Sequence, residues 1–311
     1  MMIRKIYILS LLIGLTVAAR GQQDAMYSEY VFNPSLINPA VVGSHDVLNA
    51  SLLYRSQWVG VPGSPKTGVF SIESPVKKEN VGVGVNLEFD RLGVTSHTGI
   101  TGIYSYRLRF PQSSLSFGLQ AGLGFSSSDF MSVNYIDNNN LSDPAFLSNF
   151  NDVIPSVGFG MYYSAERFSA GLSVPQIGSY VLQNLLYHQN EDAHLDLANH
   201  YFVSAGYMFD LAPGIKVKPS TLIKYVKGAP VEFDVNGIFY FYDMLAAGIS
   251  YRSLSSVNFM AQVKASDQLY IGYAFESATT ELKNYRSGSH EIMLQFFFDF
   301  SRSRIVTPRF F

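Results

Sequence analysis

Residues 290–300 read HEIMLQFFFDF, and how this stretch is understood decides the fold. Successive side chains of a strand point to opposite faces. One face here carries Ile292, Leu294, Phe296, Phe298 and Phe300, all large and apolar. The other carries Glu291, Met293, Gln295, Phe297 and Asp299, mostly polar with two acids. The wholly apolar face must lie against either a protein core or lipid.

The same two-sided pattern recurs along the chain. Val81, Val83, Val85, Leu87 and Phe89 alternate with Gly82, Gly84, Asn86, Glu88 and Asp90. Val257, Phe259, Ala261 and Val263 alternate with Asn258, Met260, Gln262 and Lys264. In these sets the apolar register holds no Lys, Arg, Asp or Glu. The pattern predicts fourteen strands, near 47–55, 67–74, 81–91, 96–109, 114–127, 153–164, 167–175, 199–210, 214–226, 230–241, 244–254, 256–265, 268–277 and 288–300. Several exceed the usual strand of about five or six residues. A tilted membrane-crossing strand needs about 9–11.

The connections sort by parity. The odd-numbered ones include the long segments 56–66, 128–152, 176–198 and 278–287. The even-numbered ones, 75–80, 110–113, 165–166, 211–213, 242–243 and 266–267, are all short. Short turns on one side and long loops on the other are the habit of outer-membrane barrels. A secreted β-sandwich would need a second sheet over every apolar face, and gives no reason for such sorting. The expectation is therefore an all-β fold: a transmembrane antiparallel β-barrel of fourteen strands, lying in outer-membrane lipid, with both termini periplasmic.

Composition agrees. The 311 residues carry a net charge of −2, only 15% charged side chains and no Cys. Near-neutral charge with no basic stripe argues against nucleic acid as a partner. The absence of Cys excludes disulfides and thiolate chemistry. Arg4 and Lys5, the apolar run Ile6–Val17 and the small residues of Ala19-Arg20-Gly21 read as a secretory signal peptide, too short to span a membrane comfortably. The chain thus divides into a signal peptide at 1–21, a plug-like or lead-in segment at 22–47, the barrel at 48–300 and a periplasmic tail at 301–311.

The candidate sites follow from that division. In 22–47, Asn33-Pro34 and Asn38-Pro39 favour turns and block regular ladders. The segment is either a plug inside the lumen or a periplasmic lead-in that fixes the first strand. Trp58, the single tryptophan, falls just past the first strand with Arg55 and Gln57. It either anchors the loop that shapes the extracellular mouth or belongs to the interfacial aromatic girdle. His188, Glu191, Asp192 and His194 form one acidic–histidine loop cluster; Asp129, Asp137 and Asp143 flank Asn138–Asn140 in another. The first could bind a divalent ion, though its spacing is a weak signal, and the second lacks the calcium-loop spacing. Both read as solvated loops, or as contacts for a secreted client, and no metal or cofactor is expected. Glu88, Asp90, Glu232, Asp234, Lys264, Glu276, Glu291 and Asp299 fall in the polar register. Spread over many strands, they read as salt bridges or plug contacts, with no catalytic constellation. The tail carries Arg302, Arg304, Pro308, Arg309, Phe310 and Phe311. It reads as a docking peptide for a periplasmic partner or as closure of the barrel base.

A family resemblance runs along the chain. QQDAMYSEYVFNPSLINPAVVGS (22–44), YRSQWVGVPGSPKT (54–67), DPAF (143–146), FSAGLSVPQI (168–177), GSHEIML (288–294) and PRFF (308–311), in this order, resemble the PorP/SprF family of outer-membrane proteins from Bacteroidetes. The most specific elements are Phe32-Asn33-Pro34 with Asn38-Pro39-Ala40, Arg55-x-Gln57-Trp58 and Pro308-Arg309-Phe310. The resemblance implies a role in type IX secretion and gliding motility. It implies association with components of that apparatus and a secreted surface adhesin as client, with no enzymatic activity. A fourteen-stranded barrel with an N-terminal hatch also resembles the FadL family, which passes hydrophobic molecules. An apolar pocket in the lumen or a lateral opening would favour that alternative.

Overall fold

A computed structural model describes residues 26–76, 80–130, 150–177, 199–280 and 287–298. The signal peptide, the loop clusters 131–149 and 188–194, Asp299 and the tail from Arg302 lie outside the described residues. The alternating segments form β1 (Leu48–Ser56), β2 (Lys66–Val76), β3 (Val81–Leu92), β4 (Thr95–Phe110), β5 (Ser113–Ser128), β6 (Phe150–Ala165), β7 (Phe168–Ile177), β8 (His200–Tyr207), β9 (Phe209–Ala212), β10 (Ile215–Val226), β11 (Glu232–Phe241), β12 (Leu245–Arg252), β13 (Ser256–Lys264), β14 (Leu269–Ala278) and β15 (Ser289–Phe298).

Each strand pairs antiparallel with its neighbours in sequence, and β1 pairs with β15, so the sheet closes on itself. At this seam Leu48 stands opposite Phe298 and Ser56 opposite His290. Strands β8 and β9 are two parts of one stave, so the fifteen ladder segments make a fourteen-stranded barrel. Closure leaves no unpaired edge, which is what lipid demands of a sheet.

The periodicity predicts one strand over 199–210, and the structure divides it at Met208. Opposite, the pairing of β10 with β8 stops at Ser220 and resumes with β9 at Val217. Pro219 lies in the gap, and a proline has no N–H to donate to a ladder. A register shift at Ile215/Lys216 follows.

The two faces are as different as the alternation requires. Leu52, Tyr54, Phe259, Ile292 and Leu294 point outward and are exposed, Ile292 by 48%. Their neighbours along the same strands, Leu53, Arg55, Asn258, Glu291 and Met293, point inward and are buried, Glu291 to 1%. Residues that a soluble protein would hide form the outside wall, and this face lies against lipid. β4, β5 and β6 have sixteen residues each, longer than the apolar belt needs. Their long-loop ends project past it, as the polar outward positions Ser96 and Thr98 on β4 show.

Candidate functional site

The candidate site is the inside of the barrel. Residues 26–44 precede β1 and coil through three 3-10 turns, Ser28–Val31, Pro34–Leu36 and Pro39–Val41. Pro34 and Pro39 each open a turn, where the missing N–H has no partner to lose. The Asn38 side chain caps the third turn, its Oδ1 accepting from the Ala40 amide at 3.0 Å.

This segment bonds to inward-facing groups all around the wall. Tyr27 donates to Glu88 on β3 at 2.8 Å, and Asn33 donates to Ser51 on β1 at 3.2 Å. Asn38 Nδ2 reaches the carbonyls of Met161 on β6 and Leu172 on β7, at 3.1 and 3.3 Å. Ser173 on β7 donates to the Ile37 carbonyl, and Ser105 on β4 to the Val42 carbonyl. Asn236 on β11 donates to the Tyr30 hydroxyl at 2.9 Å. Glu291 on β15 accepts from the amides of Ser28, at 2.8 Å, and Glu29, at 3.2 Å.

The apolar residues inside the barrel pack on the same segment. Tyr30, Val31 and Ile37 join Phe202, Met208, Leu222, Ile238, Tyr240 and Met260 in one cluster, with Phe32 and Leu36 against it. Tyr27 joins Leu53, Val69 and Met293, and Ala40 and Val41 join Tyr162. The lumen wall is therefore less polar than the alternating register predicts, and its apolar inward residues cluster against this segment.

Glycines make room for the close approach. A methyl group at Gly82 would overlap the Val42 carbonyl, one at Gly118 the Pro39–Ala40 peptide, and one at Gly160 the Asn38 side chain. In the sequence these glycines look like ordinary strand residues, and nothing local shows what packs on them. The available signal is that they share the inward register on β3, β5 and β6.

A chain of buried charges runs beside the first turn. Arg55 on β1 pairs with Glu291 on β15 and with Glu276 on β14, the latter at 2.8 Å. Glu276 lies 3.8 Å from Arg252 on β12. Arg252 in turn forks onto both carboxylate oxygens of Asp234 on β11 and lies 3.5 Å from Glu232. Such fork-to-carboxylate contacts fix geometry as well as charge. Two guanidiniums thus meet four carboxylates. A fifth, Glu29, is fully buried, and neither of its oxygens has a hydrogen-bond partner. Burial first, and the Glu291 charge second, push the Glu29 carboxyl well above its ordinary value. Gly272 on β14 leaves the space that carboxyl fills.

The predicted site residues fall as follows. Phe32, Asn33, Pro34, Asn38, Pro39 and Ala40 all belong to the segment inside the barrel, with Asn33 and Ala40 fully buried. Arg55 sits at the long-loop end of β1 and points inward. With its amide turned so that oxygen faces Arg55, Gln57 accepts from Nε and Nη2 at 2.7 Å. Trp58 takes a left-handed backbone conformation (φ 50°), and its amide donates to Ser289 at 3.3 Å. The structure thus brings Arg55 and Gln57 together and ties Trp58 to the start of β15. Of the lumen charges, Glu88 bonds the segment, Asp90 bonds Thr67, and Lys264 pairs with Asp267 at 2.9 Å by the short turns. Among the described residues no three His, Cys, Asp or Glu side chains group as metal ligands.

Solved structures similar to this chain are barrels. They include a monoaromatic hydrocarbon channel, CymD (TM-score 0.49, 11% identity, covering 88% of this chain and 93% of that one). Omp33 of Acinetobacter baumannii is similar at a TM-score of 0.48 and 9% identity, covering 82% of this chain and 100% of that one. A Pseudomonas aeruginosa FadL homologue is similar at 0.45 and 13% identity, covering 87% and 94%. No curated protein matches the sequence. The profile of PorP/SprF, described as a type IX secretion system membrane protein, matches residues 19–296. The chain spans the outer membrane as a closed barrel and belongs to the PorP/SprF family of type IX secretion system membrane proteins.

Proposed function

We propose that this chain is a non-enzymatic component of the type IX secretion and gliding system that assists the export or surface anchoring of secreted adhesins. Family membership supports that assignment. The observation that carries it over a general porin is the segment 26–44, hydrogen-bonded to β1, β3, β4, β6, β7, β11 and β15. A segment tied to the wall on so many sides acts as a plug and leaves no wide aqueous pore. Both termini lie in the periplasm, the short turns face the same side, and the arginine-rich tail docks a partner there.

The test is deletion of the gene in its own host, followed by quantitative proteomics of cell surface and medium. Loss of particular adhesins from the surface supports the reading and names the client. An unchanged surface proteome, with paralogues also deleted, sinks it. The alternative, passage of hydrophobic small molecules, draws on the apolar cluster around Phe202, Leu222 and Ile238. Tyr30, Val31 and Ile37 already pack against that cluster, so uptake would require the segment to move.

A further inference from the structure

At the short-turn end, under the third 3-10 turn, the lumen keeps a cavity of about 480 Å³. Two cross-strand rows line it. In the first, Arg107 on β4 stands opposite Ser116 on β5, which stands opposite Tyr162 on β6. In the second, Arg109 stands opposite Ser114, which stands opposite Ser164. All six face the cavity. Above it, Ala40 and Val41 pack on Tyr162; Ser44, where the segment leaves the barrel, and the two turns 110–113 and 165–166 add to the lining.

The chemistry is that of an anion site. Two guanidiniums and a set of hydroxyls offer donors, and the acid in the lining, Glu166, is exposed on the turn after β6. Arg107 is 8% exposed and touches Ser116 at 3.4 Å, so its charge is held in the wall. Arg109, at the rim, already has a carboxylate near it: Asp46 lies 3.9 Å away, a long and partly exposed contact. A better-placed carboxylate can displace such a pair, because exposed ion pairs are worth little.

Size and spacing narrow the occupant. Alternate residues of a strand stand roughly 7 Å apart, so the two arginines match acidic side chains two apart on an extended peptide. A lone phosphate would engage one row and leave most of the cavity unfilled. We propose that this cavity binds an extended segment of a partner protein bearing acidic residues at alternate positions, its carboxylates on Arg107 and Arg109. The proposal rests on the periplasmic orientation of the short turns given under Proposed function.

The test uses the purified full barrel in detergent at low ionic strength. A fluorescein-labelled peptide of alternating Asp and Thr is titrated by anisotropy, with the alternating Asn and Thr peptide as control. The acidic peptide is expected to bind about tenfold or more tightly than the control, as charge-assisted hydrogen bonds predict. R107Q and R109Q should each weaken it about tenfold, while K216Q, at the same rim, leaves it unchanged. Heat-modified mobility on gels confirms that each variant is folded. Should R107Q fail to fold, R109Q at the rim decides. Equal binding of the two peptides, or an unchanged R109Q, overturns the proposal. Displacement by inorganic phosphate at concentrations below that of the peptide overturns it in favour of a small-anion site. These outcomes concern the isolated protein, so failure here leaves the deletion experiment to judge the secretion reading separately.

Discussion

Arg55 and Glu291 stand directly opposite each other across the seam where the first strand meets the last, and they form an ion pair buried from water. The barrel is therefore closed by a charge pair as well as by backbone. Glu291 also holds the amides of Ser28 and Glu29, so one carboxylate ties closure of the wall to seating of the segment inside it.

Removing one member of this pair should cost more than removing both. Arg55→Met leaves Glu291 buried beside Glu276 with its main cation gone, a change worth about 3–5 kcal/mol. Arg55→Met with Glu291→Gln should recover part of that loss, because residue 291 then carries no charge, while Glu276 keeps Arg252 at 3.8 Å. Urea unfolding of the barrel in lipid vesicles measures both. Strict additivity of the two single changes would show that the pair is not coupled.

The fold was legible because strand after strand repeats one physical rule: a largely apolar outward register beside an inward register that holds most of the polar and small residues. Strand β15 is expected at 288–300 and found at 289–298. The interior was legible only in part. Arg55 falls in the inward register on sequence alone, yet its partners Glu276 and Glu291 lie 221 and 236 residues away, and no local pattern announces them. The Asn-Pro pairs foretell turns. That those turns rest on Gly118 and Gly160 depends on how the sheet closes, which is a property of the whole chain. Glu29 carries no sequence signal at all, and its burial follows from where the first turn lands.

The glycine seats make a test of plugging. Gly118→Leu places a side chain where the Pro39–Ala40 peptide lies, which should unseat the segment without breaking a wall pairing. In planar bilayers the unaltered barrel is expected to show little conductance, and Gly118→Leu or deletion of 26–44 a large increase. Protease should cut the unseated segment. Equal conductance in all three would mean that the segment does not block the lumen.

Glu29 gives a pH dependence with a definite sign. Its folded-state pKa is raised above the ordinary value of 4.5 by burial and by Glu291. The folded chain therefore holds a proton that the unfolded chain has released. Stability from this group is full below about pH 4.5 and is lost as pH rises through the folded value, at up to about 1.4 kcal/mol per pH unit. Glu29→Gln removes the titration. The variant should gain on the unaltered protein as pH rises, and unfolding free energies compared across that range would show it. Parallel curves would mean that Glu29 finds a partner or water in solution.

The outward face can be tested against its neighbour on the same strand. Leu294 is exposed on the outer face of β15, and Met293 is fully buried inside. In a bilayer, Leu294→Arg places a charge in hydrocarbon and should cost about 2–4 kcal/mol if the site lies near the midplane. In detergent micelles, whose polar surface is closer, the penalty should shrink. Met293→Ala removes packing against Tyr27 and Leu53, at about 2–5 kcal/mol, and that loss has no reason to depend on the surrounding lipid. Unfolding of both variants in vesicles and in micelles separates the two terms. A Leu294→Arg penalty that is the same in both media would place that face against protein instead of lipid.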